Sequence, residues 1–206
     1  MNMFLSESST NQNNIGVLAI VGMGGVEKTK LAQLAHNDEN VHKHFDLTSR
    51  ACVSEDFDVL RVTKAFLESV TKTPWETDNI ELLRVELKKN LRDKRFFFVL
   101  DDLWNDKYSD WDELVSLLIS GKTGSSVIIT TCHRKVVDDV LPTFGRLRVL
   151  SLSRYRNITT LPETIGNLLQ LRYLNLTDTE ITRLSDTICN LYYLQTLILS
   201  CCSKLT

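Results

Sequence analysis

The sequence lacks any apolar run close to the roughly 18 residues at which a segment becomes a candidate membrane-spanning helix. Residues 1–14 are polar and rich in asparagine and serine, so they also lack the apolar stretch of a secretory signal. We expect these residues to form a disordered tail. Together the two absences predict a protein that has no membrane span and resides in the cytoplasm.

An excess of charge of either sign is absent as well. The 24 basic and 26 acidic residues give a formal net charge of −2, so bulk electrostatics predict no nucleic-acid partner. The chain has only 3 prolines and 8 glycines, and 43% of its residues are hydrophobic, which is enough for a folded core. The 5 cysteines are odd in number and follow no zinc spacing, so we expect reduced thiols.

The chain does contain a glycine-rich loop between a strand and a helix. Residues 15–21 are an apolar, strand-like run, residues 22–29 read GMGGVEKT, and apolar residues at helical spacing follow from Leu31. This order is the context that a phosphate-binding loop of the form G-x-x-x-x-G-K-[ST] requires. The second fixed glycine of that pattern is replaced by Glu27.

A loop of this kind binds phosphate through backbone N–H groups and the positive end of the following helix. Lys28 would reach the β- and γ-phosphates, and the Thr29 hydroxyl would bind Mg²⁺. A buried strand at residues 96–100 is followed by Asp101, predicted to hold the same Mg²⁺ through water, and by Asp102, predicted to act as a catalytic acid or base. The predicted cofactor is ADP or ATP with Mg²⁺, bound by Gly22, Gly24, Gly25, Val26, Glu27, Lys28, Thr29 and Lys30.

Glu27 weakens the predicted affinity in two ways. Its Cβ atom stands where the pattern has only hydrogen, which strains the backbone. A carboxylate about 4 Å from a phosphate oxygen would also cost roughly 4 kcal/mol at an effective dielectric constant of about 20. In an alternative interpretation the side chain turns outward to water and pairs with Lys30, which leaves only the steric cost. In a third, the loop is an ordinary strand-to-helix turn kept for folding.

Strand-like and helix-like segments alternate through the first half of the chain. Further strands are predicted at residues 45–54, 96–100 and 126–131. Helices are predicted to begin at Asp58, near Ile80 and at residues 109–112. This alternation is typical of an α/β fold, in which helices flank a parallel sheet.

Beyond residue 141 the pattern changes to a repeat. The form L-x-x-L-x-L begins at Leu147, Leu171 and Leu194, with offsets of 24 and 23 residues. Offsets of this size are typical of leucine-rich repeats. We therefore expect a short leucine-rich-repeat segment of about two and a half units after the parallel sheet.

Four successive segments of the chain match the ordered motifs of one known family. They are GMGGVEKTKLAQLAHND, FDLTSRACVSEDFDV, KRFFFVLDDLWND and GSSVIITTCHRKVV, which begin at residues 22, 45, 94 and 124. With the repeats, they resemble the plant NB-ARC leucine-rich-repeat disease-resistance proteins of the coiled-coil class. The resemblance implies a nucleotide switch, off with ADP and on with ATP, whose repeats contact a pathogen effector or a related resistance protein.

Several departures from the family pattern are visible. Cys132 stands where the family has a γ-phosphate-sensing arginine, and the chain passes from Val137 almost directly to the repeats. The fifth sheet strand, the helical and winged-helix subdomains and the N-terminal coiled coil are missing, so we expect a truncated and degenerate member. Without a fifth strand, residues 15–21 are predicted to form an edge strand with unpaired backbone groups.

These observations predict a disordered tail at 1–14, a truncated NB-ARC domain at 15–140 and leucine-rich repeats at 141–206. The predicted function is plant defence with weakened ADP or ATP binding and without efficient hydrolysis. Two alternatives stay open: an interaction module that acts without nucleotide, and a decayed gene product without function.

Overall fold

The computed structural model describes residues 15–22, 24–25, 27–53, 57–104, 108–132 and 147–206. The predicted tail at 1–14 lies outside the described residues, and so does Val26 of the loop. Met23 of the loop lies outside them too, while the other loop residues and the strand and helix on either side of the loop are described.

In the first half, strands and helices alternate as the hydrophobic pattern predicts. The helices begin where polar side chains cap them: Asp58 accepts a hydrogen bond from the Leu60 N–H at 2.9 Å, and Asn79 accepts one from the Glu81 N–H at 3.1 Å. The elements are β1 (Gly16–Val21), α1 (Lys28–His36), α2 (Glu39–His44), β2 (Leu47–Cys52), α3 (Val59–Thr71), α4 (Ile80–Leu91), β3 (Phe96–Asp101), α5 (Tyr108–Leu118) and β4 (Ser126–Thr131).

In the second half, each L-x-x-L-x-L segment contains a short strand. These strands are β5 (Leu147–Ser151), β6 (Tyr173–Asn175) and β7 (Thr196–Ile198), and 3₁₀ helices at Glu163–Asn167 and Asp186–Asn190 lie between them. A strand and a 3₁₀ helix in each unit are typical of leucine-rich repeats.

All of these strands join one parallel sheet. Its seven strands lie in the order β2-β3-β4-β1-β5-β6-β7, and every pairing between neighbours is parallel. The sheet therefore runs without interruption from the phosphate-loop region into the repeats, and the predicted α/β fold followed by repeats is confirmed.

The prediction that residues 15–21 form an edge strand is wrong. β1 pairs with β4 on one side and with β5, the first repeat strand, on the other, where Ala19 is opposite Leu150 and Ile20 is opposite Ser151. A strand with one open edge presents a row of backbone donors and acceptors, and the next strand along the described chain satisfies them. The first repeat thus fills the place that a fifth strand would take.

The two faces of β3 bury different helices, as the alternation of side chains along a strand requires. Phe96, Phe98 and Leu100 share one cluster with residues of α3, α4 and α5, and the Phe98 ring stacks on Phe66 of α3 with centroids 4.4 Å apart. Phe97 and Val99 belong to a second cluster, with Ala32 of α1 and Val41 of α2. Helix α1 is therefore held against the face toward which Phe97 and Val99 point.

The repeat core weakens toward the last described strand. Leu150 and Leu174, which hold the same repeat position, are 1% and 0% exposed, whereas Leu197 at that position in β7 is 37% exposed. Among the described strands, β7 pairs only with β6, so one of its sides lacks a covering unit. The first repeat is consequently the best buried and the third the least.

Successive repeats also approach each other closely at their 3₁₀ helices. A Cβ atom on Gly166 would lie 2.7 Å from Cβ of Thr187 and 2.8 Å from its carbonyl oxygen. Cys189 holds the same position one repeat later and is exposed. A side chain is thus tolerated at this position only where no described repeat packs against it.

Candidate functional site

The glycine-rich loop lies at the carboxyl end of β1, at the middle of the sheet. The Gly22 N–H donates to the Thr131 carbonyl at 3.2 Å, which ties the start of the loop to the end of β4. Gly25 has a φ of 82°, and a Cβ atom added at Gly24 or Gly25 would meet nothing within 4 Å. The loop therefore leaves open space beside its backbone, at the edge where parallel α/β sheets bind ligands.

Glu27 keeps the backbone conformation that a glycine would adopt. Its φ of 56° and ψ of 29° lie in the left-handed region, and it precedes the first residue of α1. For a residue with a Cβ atom this conformation costs about 1–2 kcal/mol. The loop geometry at this position is retained, and the strain that accompanies it falls on Glu27.

The Glu27 carboxylate points to solvent. Its side chain is 71% exposed, and Oε2 lies 3.7 Å from Nζ of Lys30, whose side chain is 65% exposed. An ion pair this exposed contributes little stability. This arrangement corresponds to the outward alternative, in which water and Lys30 screen the negative charge.

Lys28 folds back over the loop. Its Nζ donates to the Gly22 carbonyl at 2.7 Å. Burial lowers the pKa of Lys28, and nearby Cys132, Asp102 and Asp101 oppose that change without cancelling it. An ammonium that has lost part of its hydration gains more from an anion than one in bulk water does, which fits a phosphate group.

Asp101 lies at the end of β3 with a side chain only 1% exposed, and three side chains donate to it. Thr29 Oγ1 and Thr130 Oγ1 donate to its Oδ1 at 3.1 and 2.6 Å. Arg50 Nη2 donates to its Oδ2 at 2.8 Å. Strands β2, β3 and β4 and helix α1 therefore all meet at this carboxylate.

The sequence-based prediction missed Arg50. It lies on β2 opposite Val99, on the face that α1 covers, and its length lets it reach Asp101 one pleat further along β3. With the Gln33 amide oriented to satisfy its neighbours, the oxygen accepts from Nη1 at 2.8 Å and Nη2 at 3.0 Å of Arg50. An arginine within a strand was the available signal, but its meaning depends on the strand register.

The predicted magnesium ligands, Thr29 and Asp101, lie together but do not fit the ion as they are arranged. Mg²⁺ requires oxygen ligands at about 2.0–2.1 Å in near-octahedral geometry. Both carboxylate oxygens of Asp101 already accept hydrogen bonds, and its charge faces the Arg50 guanidinium. A metal ion bound to Thr29, with Asp101 holding it through water as predicted, would therefore lie close to a fixed positive charge that already neutralises the Asp101 carboxylate.

Asp102 lies directly after β3, beside the loop. Its φ is 59°, its N–H donates to Thr130 Oγ1 at 2.9 Å, and the residue is half-buried. It is close enough to Lys28 to influence the pKa of that lysine. Its predicted role as a catalytic acid or base stays a prediction.

The first repeat reaches the rim of this site. Cys132 follows β4 directly, and its carbonyl accepts a hydrogen bond of 3.4 Å from the hydroxyl of Tyr155, just beyond β5. Thr131 anchors the same segment by donating to the Leu103 carbonyl at 2.5 Å. Cys132, at the position where the resemblance implies a γ-phosphate-sensing arginine, therefore lies between the loop and the first repeat.

The described part of the chain contains neither a metal-binding cluster nor a membrane-spanning helix. No group of three or more His, Cys, Asp or Glu residues there is arranged to hold a metal ion. None of the described helices combines the length and apolar character needed to cross a bilayer.

Comparison with known proteins agrees with this geometry. The NB-ARC domain model matches residues 3–154, and a model of a leucine-rich repeat region matches residues 125–205. The chain is 44% identical over 135 residues to putative disease resistance RPP13-like protein 1 of Arabidopsis thaliana, which covers 65% of this chain and 13% of that protein. It is 40% identical over 133 residues to disease resistance protein RGA2 of Solanum bulbocastanum, which covers 64% of this chain and 14% of that protein.

The chain thus spans about a seventh of the length of these relatives. The two family models overlap at residues 125–154, the part of the chain that contains β4 and β5. The matched models, the relatives and the strand–loop–helix geometry together show that the chain belongs to the NB-ARC leucine-rich-repeat family of plant disease-resistance proteins.

Proposed function

We propose that this chain acts in plant defence as a weak binder of ADP or ATP whose repeats contact another protein. The observation that carries the proposal is Lys28, which is partly buried beside an open glycine-rich loop at the carboxyl ends of β1 and β4. The backbone of Gly22, Gly24 and Gly25 and the start of α1 would hold the diphosphate.

The loop residues would contribute to phosphate binding in different ways. Lys28 would leave the Gly22 carbonyl and pair with a phosphate oxygen, while the N–H groups at the start of α1 would donate to the same anion. Glu27 and Lys30, both largely exposed, would bind through backbone groups rather than side chains. Asp102 would lie near the terminal phosphate, and with Cys132 at the arginine position we propose no efficient hydrolysis.

The repeats supply the surface for a protein partner. Leu169 and Tyr192 hold the same position in successive repeats and are 51% and 82% exposed, and Tyr193 beside them is 58% exposed. Exposed aromatic side chains of this kind are enriched at protein interfaces. We propose a pathogen effector or a related resistance protein as the partner, and a boundary between the two units near residue 140.

The family match and the retained loop geometry favour this proposal over the two alternatives. A module that acts without nucleotide would not need Lys28 beside the open loop or Thr29 paired with Asp101, yet Lys28 Nζ donates to the Gly22 carbonyl at 2.7 Å and Thr29 Oγ1 donates to Asp101 at 3.1 Å. A decayed product would not be expected to keep a buried and fully paired Asp101.

Calorimetric titration of ADP into the chain and into its Glu27→Gly variant tests the proposal. We expect weak binding to the natural chain and binding about tenfold tighter in the variant, because glycine removes a negative charge from the loop. The difference is modest because the Glu27 side chain already lies in water. Absence of binding heat at millimolar ADP in both proteins would refute nucleotide binding.

A further inference from the structure

We propose that Arg50 takes the place of the metal ion at this site, so that the chain binds phosphate without Mg²⁺. The inference rests on the proposed nucleotide function and adds which cation neutralises Asp101 beside the phosphate loop. It starts from the disagreement between the expected metal ligands and the side chains that surround Asp101.

Arg50 lies where it can neutralise Asp101, the carboxylate that is buried next to the loop among the described residues. The Asp101 side chain is 1% exposed and that of Arg50 is 30% exposed, with 2.8 Å between Nη2 and Oδ2. A buried carboxylate requires a nearby positive charge or strong donors. Arg50 supplies the charge, and the hydroxyls of Thr29 and Thr130 supply the remaining donors.

The guanidinium is held from both sides. Asp101 accepts from it at the end of β3, and the Gln33 amide of α1, in the orientation that satisfies its neighbours, accepts from both terminal nitrogens at 2.8 and 3.0 Å. Gln33 belongs to the helix that begins with Lys28, so the same charge also fastens the phosphate-loop helix to strand β2. The guanidinium is part of the chain itself, so its charge is present without any bound ion, whereas occupancy by a metal depends on the metal's concentration.

A divalent ion would have to compete with this arrangement. The water through which Asp101 would hold it must donate to a carboxylate oxygen that already accepts a hydrogen bond, and the ion would face the positive charge of Arg50 at close range. Lys28, whose Nζ lies 2.7 Å from the Gly22 carbonyl, would remain the cation that meets the phosphate oxygens, while Arg50 already neutralises Asp101.

The first test uses the natural chain and Mn²⁺, a paramagnetic substitute for Mg²⁺, followed by electron paramagnetic resonance with and without ADP. We expect no protein-bound Mn²⁺ at micromolar to submillimolar concentrations without ADP, and ADP affinity that differs by less than about twofold between Mg²⁺ and EDTA. One bound Mn²⁺ that Asp101→Asn removes would overturn the proposal. If ADP does not bind, the proposed function fails, while the Mn²⁺ titration without nucleotide still tests Arg50.

The second test asks whether the metal returns when the guanidinium is removed. Arg50→Gln is expected to melt at a lower temperature than the natural chain and to regain several degrees in millimolar Mg²⁺ at constant ionic strength. Lys64→Gln is the matched control, since Lys64 pairs with Asp78 at 3.0 Å with a side chain 25% exposed, and its melting temperature should not respond to Mg²⁺. If Arg50→Gln does not fold, Arg50→Lys retains the charge, and its melting temperature should be insensitive to Mg²⁺. A Mg²⁺-induced rise in the natural chain or in Arg50→Lys, or no rise in a folded Arg50→Gln, would contradict the proposal.

Discussion

Replacement of Leu150 by alanine is expected to lower the free energy of unfolding by about 2–5 kcal/mol. Leu150 is 1% exposed on β5, opposite Ala19 of β1, in the cluster that joins the first half of the chain to the repeats. Its removal would leave a cavity at the seam of the sheet. Urea denaturation followed by circular dichroism measures the change.

Leu197→Ala is the matched control for that substitution. Leu197 holds the same repeat position on β7 but is 37% exposed, so we expect a loss of about 1 kcal/mol or less. Because β5 seals the edge of β1, Leu150→Ala should shift a single transition rather than split it. Equal losses in the two variants, or two separate transitions in the natural chain, would contradict the described sheet.

Lys28→Ala is expected to weaken ADP binding by about 10- to 100-fold. A hydrogen bond between charged groups contributes about 1.5–3 kcal/mol, and Lys28 is the partly buried ammonium beside the open loop. Calorimetry on the Glu27→Gly background, where the affinity is expected to be higher, makes the difference measurable.

Lys30→Ala serves as the control because it removes the same charge two residues away. The Lys30 side chain is 65% exposed, and we propose that Lys30 contributes through its backbone, so we expect ADP affinity to change by less than about threefold. Thermal melting of both variants verifies that each is folded. Equal losses from the two substitutions would indicate that general positive charge, rather than the position of Lys28, attracts the nucleotide.

Hydrophobic periodicity predicted most of the individual elements. The continuous apolar run at residues 96–100 is a fully buried strand because helices cover both of its faces. The repeated leucines located β5, β6 and β7 because each unit buries the same positions against the next. Helix α5 begins at Tyr108, slightly before the predicted start at residues 109–112, which is the usual uncertainty of a helix end.

Pairing between distant strands was not predictable in the same way. The L-x-x-L-x-L pattern identifies a strand but not its neighbour, and β1 and β5 lie far apart in the sequence. The edge-strand prediction assumed that only a fifth strand of the nucleotide-binding unit could pair with β1. Any parallel strand with free backbone groups at the right distance satisfies that edge, and the first repeat provides one.

The residues of the candidate site also differ in whether local sequence could predict them. Spacing within the loop located Lys28 and Thr29, and the buried strand located Asp101 and Asp102, since these positions depend on local geometry. Arg50 reaches Asp101 only because β2 and β3 pair in one particular register, which local sequence does not determine. The outward direction of Glu27 likewise depends on its left-handed backbone and on Lys30.

Amide hydrogen exchange followed by mass spectrometry tests most directly whether one sheet joins the phosphate loop to the repeats. We predict that the amides of β1 and β5 exchange slowly and at similar rates, because they open only when the whole sheet unfolds, and that those of β7 exchange faster. Fast exchange in β5 at the rate of β7, while β4 stays protected, would contradict the account.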